Sequence, residues 1–325
     1  MRIVIIGGGM AGRRLAQLLP SYDVTVLGDE PSYNRSRLTE YVAGRAEVAV
    51  GNEVPVAAVA VDRVRRVVVG ADGVEYAYDR LVFATGAVPV VPAGVEGGLL
   101  LRSVEDARAV VAAASEARRA VVLGGGVLGV ETACALRERG VAVTLVHDGE
   151  TLLDKTIRPS AGRRVTRAVR RLGVEVLLNT ELSGTETKDG VFRSLCLHNG
   201  RQVYGDLLIV ACGVQPRTEL AHGLTVRTGI VVDETYTSPD DPTVHAIGDC
   251  AEVNGRVTGT VASAWSQAEQ LAAHLHATAP GGGNVGDPAS GALELGAAPG
   301  GLDVGGLASG GVGAGSVAVE VIRLT

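Results

Sequence analysis

The sequence is poor in cysteine and aromatic residues and has no long apolar run. Its four cysteines are spread along 325 residues without a C-x-x-C pair, which argues against a disulfide framework or a zinc site and fits a reducing cytoplasm. No run reaches about 18 apolar residues, so we expect no membrane span. A strand-like segment follows Met1 almost at once, so we expect no signal peptide. The net charge of −6 argues against a nucleic-acid surface.

Two glycine motifs stand out in what the sequence does contain. Each is a G-x-G-x-x-G pattern that follows a short apolar run and precedes a helix-like segment. The first glycine allows a tight strand-to-helix turn, the second lets a pyrophosphate approach the backbone, and the third lets the helix pack closely on the sheet. Either motif alone could be a tight turn without a ligand, but the pair predicts two bound dinucleotides with electron transfer between them. The glycines are Gly7, Gly9 and Gly12 in the first motif and Gly124, Gly126 and Gly129 in the second.

The apolar periodicity predicts an α/β protein, and the chain length suggests roughly two domains. Ser103, with Asp106 three positions on, is expected to cap a helix rich in alanine and valine. A hairpin is expected around 71–73, and strand-like segments run from 182 to 211. Between residues 281 and 315, fourteen of 35 residues are glycine, which predicts a flexible tail or an eroded domain. The two βαβ units are predicted as strand 2–6, helix 10–19 and strand 24–27, and as strand 120–123, helix 127–139 and strand 141–146.

Three further segments accompany the first glycine motif. A predicted strand ends in Ala84-Thr85-Gly86, where small residues let the backbone pass close to a ligand. Another ends in Gly248-Asp249, and that aspartate could accept hydrogen bonds from sugar or ribityl hydroxyls or simply cap a turn. The segment 34–40 supplies cations near the expected cofactor, with an ordinary charged helix start as the alternative.

The order of these motifs resembles that of the two-dinucleotide-fold flavoproteins, the pyridine-nucleotide-dependent reductases, over residues 1 to about 278. Further likeness is to the flavin module of the assimilatory NAD(P)H nitrite reductase large subunit, with rubredoxin reductase a relative of the same plan. It lies in 24–31, 33–44, 143–147, 213–220 and 260–265. The resemblance implies two Rossmann-like dinucleotide-binding domains, one inserted in the other, and a truncated or degenerate C-terminal region. The implied domains are 1–105 plus 233–279 for FAD, 106–232 for NAD(P)H, and 280–325 as a glycine-rich tail or a remnant of an interface domain.

The resemblance also implies a set of FAD-binding residues. The adenosine-ribose acid of the family stands where this chain has Gly28, so Asp29 or Glu30 is expected to replace it. Trp265 is expected at the flavin edge, with a core aromatic as the alternative, and Val261 begins the helix that points at the flavin. The remaining expected residues are Gly7, Gly9, Met10, Ala11, Gly12, Arg35, Thr39, Ala84, Thr85, Gly86, Gly248 and Asp249.

The second site is implied in the same way. Glu131 matches a family position near the nicotinamide, and a helix-surface carboxylate is the alternative reading. Asp148 would repel a 2′-phosphate and no arginine is nearby, which favours NADH, although His147 could accommodate NADH or NADPH. The expected nucleotide-binding residues are Gly124, Gly126, Val127, Leu128, Gly129, His147, Asp148 and Gly213.

These residues predict an FAD-dependent NAD(P)H oxidoreductase that passes hydride from nicotinamide to flavin and electrons to a protein acceptor or a separate reductase subunit. No cysteine precedes Cys134, which argues against disulfide-reductase chemistry. Two alternatives remain open: a flavin oxidase or monooxygenase that uses dioxygen, and a non-catalytic FAD-binding paralogue. The acceptor and the oligomeric state are not predicted.

Overall fold

The computed structural model describes residues 1–52 and 55–278, so the predicted glycine-rich region 280–325 lies outside the described residues. The helices are α1 (Met10–Gln17), α2 (Leu38–Val42), α3 (Val104–Glu116), α4 (Val127–Glu138), α5 (Pro159–Arg171) and α6 (Val261–Thr278), with 3-10 turns at Arg35–Arg37 and Gly248–Cys250. The strands are β1 (Arg2–Ile6), β2 (Asp23–Leu27), β3 (Ala58–Asp62), β4 (Val67–Gly70), β5 (Glu75–Ala77), β6 (Arg80–Phe83), β7 (Ala87–Pro89), β8 (Arg119–Leu123), β9 (Ala142–Val146), β10 (Glu175–Leu177), β11 (Leu182–Lys188), β12 (Val191–Leu197), β13 (Gln202–Tyr204), β14 (Leu207–Val210), β15 (Val214–Pro216), β16 (Ile230–Val232), β17 (Thr237–Ser238), β18 (Asp241–Ala246), β19 (Ala251–Val253) and β20 (Arg256–Val257).

Two compact units make up the described chain. Unit 1 comprises Met1–Ser32, Asn52–Gly86 and the described residues from Pro216 onward, and unit 2 comprises Tyr33–Gly51 and Ala87–Gln215. The domain bounds expected from the resemblance remain a prediction. No helix in the described ranges is long and apolar enough to cross a membrane.

Unit 1 is built on a five-stranded sheet in the order β17-β18-β6-β1-β2. The strands β2, β1, β6 and β18 are parallel, and β1 is buried from Ile3 to Ile6, as expected for a parallel strand covered on both faces. Leu15 of α1 and Leu271 of α6 are buried in the same core, and each such side chain stabilises the unit by roughly 1.5–3 kcal/mol. Because the carboxyl ends of parallel strands meet at one edge, the segments that follow β1, β2, β6 and β18 converge there.

Unit 2 is built on a four-stranded parallel sheet in the order β10-β9-β8-β14. Helix α4 follows β8 directly, and its buried face joins a core that also contains Val165 and Val169 of α5. An antiparallel sheet, β11-β12-β13, contributes Phe192 and Leu195 to a second apolar cluster with β8 and β14. The second glycine motif therefore lies at the carboxyl edge of its own parallel sheet.

The predicted elements agree closely with the observed ones because their signals are local. Ser103 caps α3 as predicted: its hydroxyl accepts from Asp106 N, and the Asp106 carboxylate accepts from Ser103 N, which completes a capping box. The hairpin expected around 71–73 joins β4 to β5. The predicted helices 10–19 and 127–139 end slightly earlier than expected, at Gln17 and Glu138.

Candidate functional site

The first glycine motif forms the turn between β1 and α1. The surroundings of its three glycines differ in whether they leave room for a side chain. A Cβ on Gly7 would lie 2.0 Å from Ala84 O, and a Cβ on Gly12 would lie 2.0 Å from Gly7 O. The packing of unit 1 itself therefore excludes side chains at both positions. A Cβ on Gly9 would meet nothing within 4 Å, and its φ of −77° suits any residue. Gly9 therefore borders open space that the residues at 1–52 and 55–278 do not fill.

The second motif lies between β8 and α4 and shows the same contrast between two crowded glycine positions and one open position. A Cβ on Gly124 would lie 2.2 Å from Ala211 O, and one on Gly129 would lie 1.9 Å from Gly124 O, whereas one on Gly126 would meet nothing within 4 Å. Gly9 and Gly126 are the N-cap residues of α1 and α4. Because glycine has no side chain to cap a helix, the first-turn N–H groups face that open space and suit an anion.

These two helix starts fit the pyrophosphate groups of two dinucleotides. The residues expected beside each phosphate, Met10 and Ala11 in unit 1 and Val127 and Leu128 in unit 2, occupy the first turns of α1 and α4. Their backbone N–H groups, rather than their side chains, suit this role, since the positive end of a helix dipole lies at its N-terminus.

The end of β2 carries an ion pair that the sequence did not predict. Arg217 Nη1 donates to Asp29 Oδ2 at 2.8 Å. The Arg217 backbone is also held, because its N–H donates to Gly86 O at 2.9 Å and its carbonyl accepts from Thr85 Oγ1 at 2.6 Å. One residue thus connects the segment after β2 to the segment after β6. The sequence places Arg217 directly after Pro216 in the segment 213–220, but it gives no signal that Asp29 is the partner of Arg217.

Gly28 explains why the expected ribose acid is displaced. A Cβ at Gly28 would lie 2.9 Å from Gly8 N, so the glycine loop excludes a side chain at that position. Asp29 and Glu30 follow immediately. Asp29 Oδ2 accepts from Arg217, and no hydrogen bond to Asp29 Oδ1 comes from the part of the chain that the structure describes. The assignment of Asp29 or Glu30 to the ribose stays a prediction.

The G-D segment lies at the same edge of the unit 1 sheet, after β18. Gly248 adopts a φ of +77°, and its N–H donates to Oε1 of the buried Gln267 at 2.6 Å. Gln267 Nε2 donates in turn to Thr258 Oγ1 at 2.9 Å. The sequence analysis did not predict Gln267 as a site residue. A glutamine at a position of α6 that faces the core could have indicated a polar role there. Asp249 lies in this 3-10 turn, while Val261 begins α6 and the partly exposed Trp265 follows one turn later.

Two predicted residues from distant parts of the sequence meet within unit 2. Thr39 Oγ1, on α2, donates to Glu131 Oε2, on α4, at 3.0 Å. Burial raises the pKa of Glu131, and the hydrogen bond from Thr39 acts in the opposite direction. Glu131 is therefore half-buried and hydrogen-bonded rather than a free surface carboxylate. Arg35 lies nearby in sequence, where its guanidinium stacks over Tyr33 and donates to the Tyr33 hydroxyl.

His147 and Asp148 follow β9 and differ sharply in exposure. The His147 side chain is buried, with Nδ1 3.2 Å from Gly125 N and Nε2 3.1 Å from Asp154 Oδ1. The Asp148 side chain is 72% exposed. Asp148 rather than His147 therefore presents a charge to the solvent at this edge. Gly213, after β14, has a φ of +99° and open space beside it.

All four cysteines are unpaired. Cys134 and Cys250 are buried, and burial raises the pKa values of the Cys134 and Cys212 thiols to about 11. Their thiolate forms are therefore disfavoured at neutral pH. The arrangement contains no redox-active cysteine pair.

Comparison with known proteins identifies relatives that share most of this chain. A family model described as pyridine nucleotide-disulphide oxidoreductase matches residues 1–270. The nitric oxide reductase FlRd-NAD(+) reductase of Escherichia coli K12 is 34% identical over 281 residues, which cover 78% of this chain and 74% of that protein. Nitrite reductase [NAD(P)H] of Bacillus subtilis is 30% identical over 302 residues, 84% of this chain but only 37% of that protein. The chain thus spans less than two fifths of that nitrite reductase.

Solved structures share the same fold. The covalent putidaredoxin reductase–putidaredoxin complex matches with a TM-score of 0.77 and 28% identity, covering 84% of this chain and 75% of the matched chain. A NAD-dependent persulfide reductase from A. fulgidus also matches with a TM-score of 0.77, at 27% identity over 85% of this chain and 59% of the other. The predicted fold class and oxidoreductase class are confirmed, and the chain belongs to the pyridine nucleotide-disulphide oxidoreductase family.

Proposed function

We propose that this chain is a flavin-dependent NAD(P)H oxidoreductase that binds FAD in unit 1 and NADH in unit 2. The observation that carries the proposal is the open space beside Gly9 and Gly126. The first and third glycines of each motif are explained by the fold, because a Cβ there would collide with the protein backbone. Gly9 and Gly126 meet no such limit, so a ligand that approaches each helix start accounts for them.

The names of the relatives support a nicotinamide donor and a protein acceptor. They include an assimilatory nitrate reductase electron transfer subunit of B. subtilis, 28% identical over 84% of this chain. The structural match to the putidaredoxin reductase–putidaredoxin complex supports a protein as the electron acceptor. We therefore propose that electrons leave to a redox protein or a separate reductase subunit, and that the part of the reaction carried by this chain ends with that transfer.

In unit 1, α1 holds the FAD pyrophosphate through its first-turn N–H groups. Asp29 Oδ1 accepts a hydrogen bond from a ribose hydroxyl. Arg217 donates to Asp29 Oδ2 and so sets the orientation of the carboxylate. Asp249 accepts from the ribityl chain, with its turn positioned by the hydrogen bond from Gly248 to Gln267. The N-terminus of α6 at Val261 stabilises negative charge near the flavin, with Trp265 beside it.

In unit 2, α4 holds the pyrophosphate of the nicotinamide dinucleotide. The exposed carboxylate of Asp148 accepts ribose hydroxyls and disfavours a 2′-phosphate, which favours NADH over NADPH. Glu131, positioned by Thr39, serves near the nicotinamide. When both cofactors are bound, they supply the hydride transfer from nicotinamide C4 to flavin N5, and the protein supplies binding and orientation.

The domain assignment and the compartment belong to the same proposal. We assign FAD binding to 1–105 plus 233–279, NADH binding to 106–232, and a tail or interface remnant to 280–325. Four unpaired cysteines suit a reducing compartment, so we place the reaction in the cytoplasm.

Anaerobic stopped-flow reduction tests the proposal. The purified protein should be yellow, its flavin should bleach faster with NADH than with NADPH, and a redox-protein carrier should reoxidise it. A colourless protein that stays empty after reconstitution with FAD contradicts the proposal. Bleaching that fails under NADH supports the non-catalytic paralogue, and rapid NADH oxidation in air without a carrier supports the oxidase.

A further inference from the structure

A polar groove of about 620 Å³ lies in unit 2, away from the second glycine motif. It is lined by Arg118, Arg119, Arg193 and Tyr204, together with the carboxylates of Glu186 and Asp206. Arg119 is the first residue of β8, whereas Gly124 follows its last residue. At about 3.3 Å per residue, on the order of 15 Å of strand separate the groove from the glycine motif. The groove is therefore distinct from the proposed dinucleotide site.

Gly205 brings the arginines together. A Cβ on Gly205 would lie 3.2 Å from Arg119 O and 3.1 Å from Val121 Cγ2, so its absence lets β13 end close to the start of β8. Gly205 N donates to Arg193 O at 3.1 Å, and Asp206 N donates to Arg119 O at 2.8 Å. These backbone bonds hold the arginines of β8 and β12 around one groove.

The two carboxylates of the groove are already engaged. Asp206 Oδ2 accepts from the backbone N–H groups of Arg118 and Arg119, at 3.0 Å each. Glu186 Oε2 accepts from Ser194 Oγ at 3.1 Å and from Gln202 Nε2 at 3.3 Å. Both acids therefore serve to shape the groove and are not paired with its guanidinium groups.

The guanidinium groups of the groove differ from those arginines of the described chain that form ion pairs. Arg2, Arg65 and Arg217, for example, each form an ion pair with a carboxylate at 3.0 Å or less. Within the ranges 1–52 and 55–278, no carboxylate lies within 4.0 Å of the guanidinium of Arg118, Arg119 or Arg193. Three forked donor groups thus converge on one groove while the acids there are occupied.

We propose that this groove binds a phosphate-bearing small molecule. Guanidinium groups donate paired hydrogen bonds that match phosphate oxygens, and such charge-assisted bonds are about twice as strong as neutral ones. The groove volume falls in the usual range for small-molecule sites, roughly 300–1,000 Å³. Tyr204 is 60% exposed beside the arginines, so its ring offers a face on which a base can stack.

Inorganic pyrophosphate is the first probe, because free phosphates and nucleotides share this chemistry. Isothermal titration of the FAD-loaded protein with pyrophosphate should show binding that Arg119→Gln/Arg193→Gln weakens by about tenfold or more. The matched control is Arg2→Gln/Arg65→Gln, which removes the same charge from exposed ion pairs of unit 1 and should leave the affinity unchanged. Each titration is also run in the Gly126→Ser background, which removes any pyrophosphate bound at the start of α4, and the affinity of the groove should be unchanged there.

ADP distinguishes the two sources of phosphate. In the Gly126→Ser background, tighter binding of ADP than of pyrophosphate, lost in Tyr204→Ala, identifies a nucleotide ligand; equal binding identifies a free phosphate. The proposal is overturned if the wild type does not bind pyrophosphate, or if the groove and control variants weaken binding equally. Because the titration monitors phosphate binding, its outcome is separable from flavin reduction by NADH.

Discussion

Thr39 donates a hydrogen bond to Glu131 across 3.0 Å, although 92 positions separate them in the sequence. The bond joins α2 to the first half of α4, just after the second glycine motif. Burial raises the pKa of the Glu131 carboxyl, and the Thr39 hydroxyl partly offsets this effect by stabilising the charged form. The stability of unit 2 should therefore depend on the ionisation of this one carboxyl.

Replacing Glu131 by Gln should become increasingly favourable for stability as the pH rises. The unfolded carboxyl ionises near its ordinary pKa of 4.5, whereas the folded one ionises at higher pH. The contribution of protonated Glu131 to the stability of the wild type is thus fully present below the unfolded pKa. This contribution is lost as the pH rises through the folded pKa, whereas the glutamine of the variant does not ionise. Thermal melts of Glu131→Gln and wild type from about pH 4 to about pH 8 measure the difference.

Glu75 provides the control for that experiment. Its hydrogen bond and ion pair with Arg65 lower its pKa, so the melting temperature of Glu75→Gln relative to wild type should fall, not rise, over the same pH range. Parallel pH profiles for the two variants would contradict the assigned role of Glu131 burial.

Thr39→Val should destabilise the protein by about 1 kcal/mol, because it removes one hydrogen bond to a half-buried carboxyl without changing the side-chain volume much. Thr39→Ser keeps the hydroxyl and should retain most of the stability. Urea unfolding of both variants, alone and combined with Glu131→Gln, gives the coupling energy of the pair. Additive effects would show that the hydrogen bond contributes nothing.

The three glycines of each motif should respond differently to substitution. Gly9→Ser and Gly126→Ser place a side chain in open space at an N-cap position, where serine is favourable. Both variants should fold normally but lose affinity for FAD and NADH, respectively, by about tenfold or more. Gly12→Ala and Gly129→Ala place a Cβ about 2 Å from a carbonyl oxygen and should instead lower the melting temperature. Normal FAD affinity in a folded Gly9→Ser protein would contradict the FAD site.

Asp29 and Arg217 should matter more for FAD affinity than for stability. Both side chains are more than a third exposed, so their ion pair contributes at most about 1 kcal/mol to folding. Asp29→Asn should nevertheless weaken FAD binding by about 1.5–3 kcal/mol, the value of a hydrogen bond to a charged group. Arg217→Gln should give a smaller loss that disappears in the Asp29→Asn background. Flavin fluorescence titrations of the apoproteins measure these affinities, and independent losses would separate Arg217 from the site.

Asp148→Ala should shift nucleotide preference toward NADPH. The exposed carboxylate repels a 2′-phosphate and accepts ribose hydroxyls, so its loss should lower the NADH/NADPH ratio of kcat/KM by about tenfold. Asp154→Ala, which removes the partner of His147 Nε2, is the control for a general disturbance at the end of β9. An unchanged ratio in Asp148→Ala would refute the proposed basis for NADH preference.

The signals that sequence reasoning used are short in range, and their predictions agree with the structure. The G-x-G-x-x-G spacing, the buried apolar strands and the capping box at Ser103 each involve residues within a few positions of one another. Such patterns reflect backbone geometry and helix or strand periodicity, so they can be recognised without knowing what packs against them. The order of the motifs was enough to indicate the family.

The contacts that complete each site depend on residues that meet only through packing. Arg217 reaches Asp29 over 188 positions of sequence, Gln267 supports Gly248 from a different element, and the groove forms because Gly205 lets two sheets approach. The periodicity of one strand or helix carries no information about the side chain that will face it from a distant segment. For the same reason the motifs were enough to propose where two nucleotides bind, whereas the partners of Glu131 and Asp29 followed from the folded units alone.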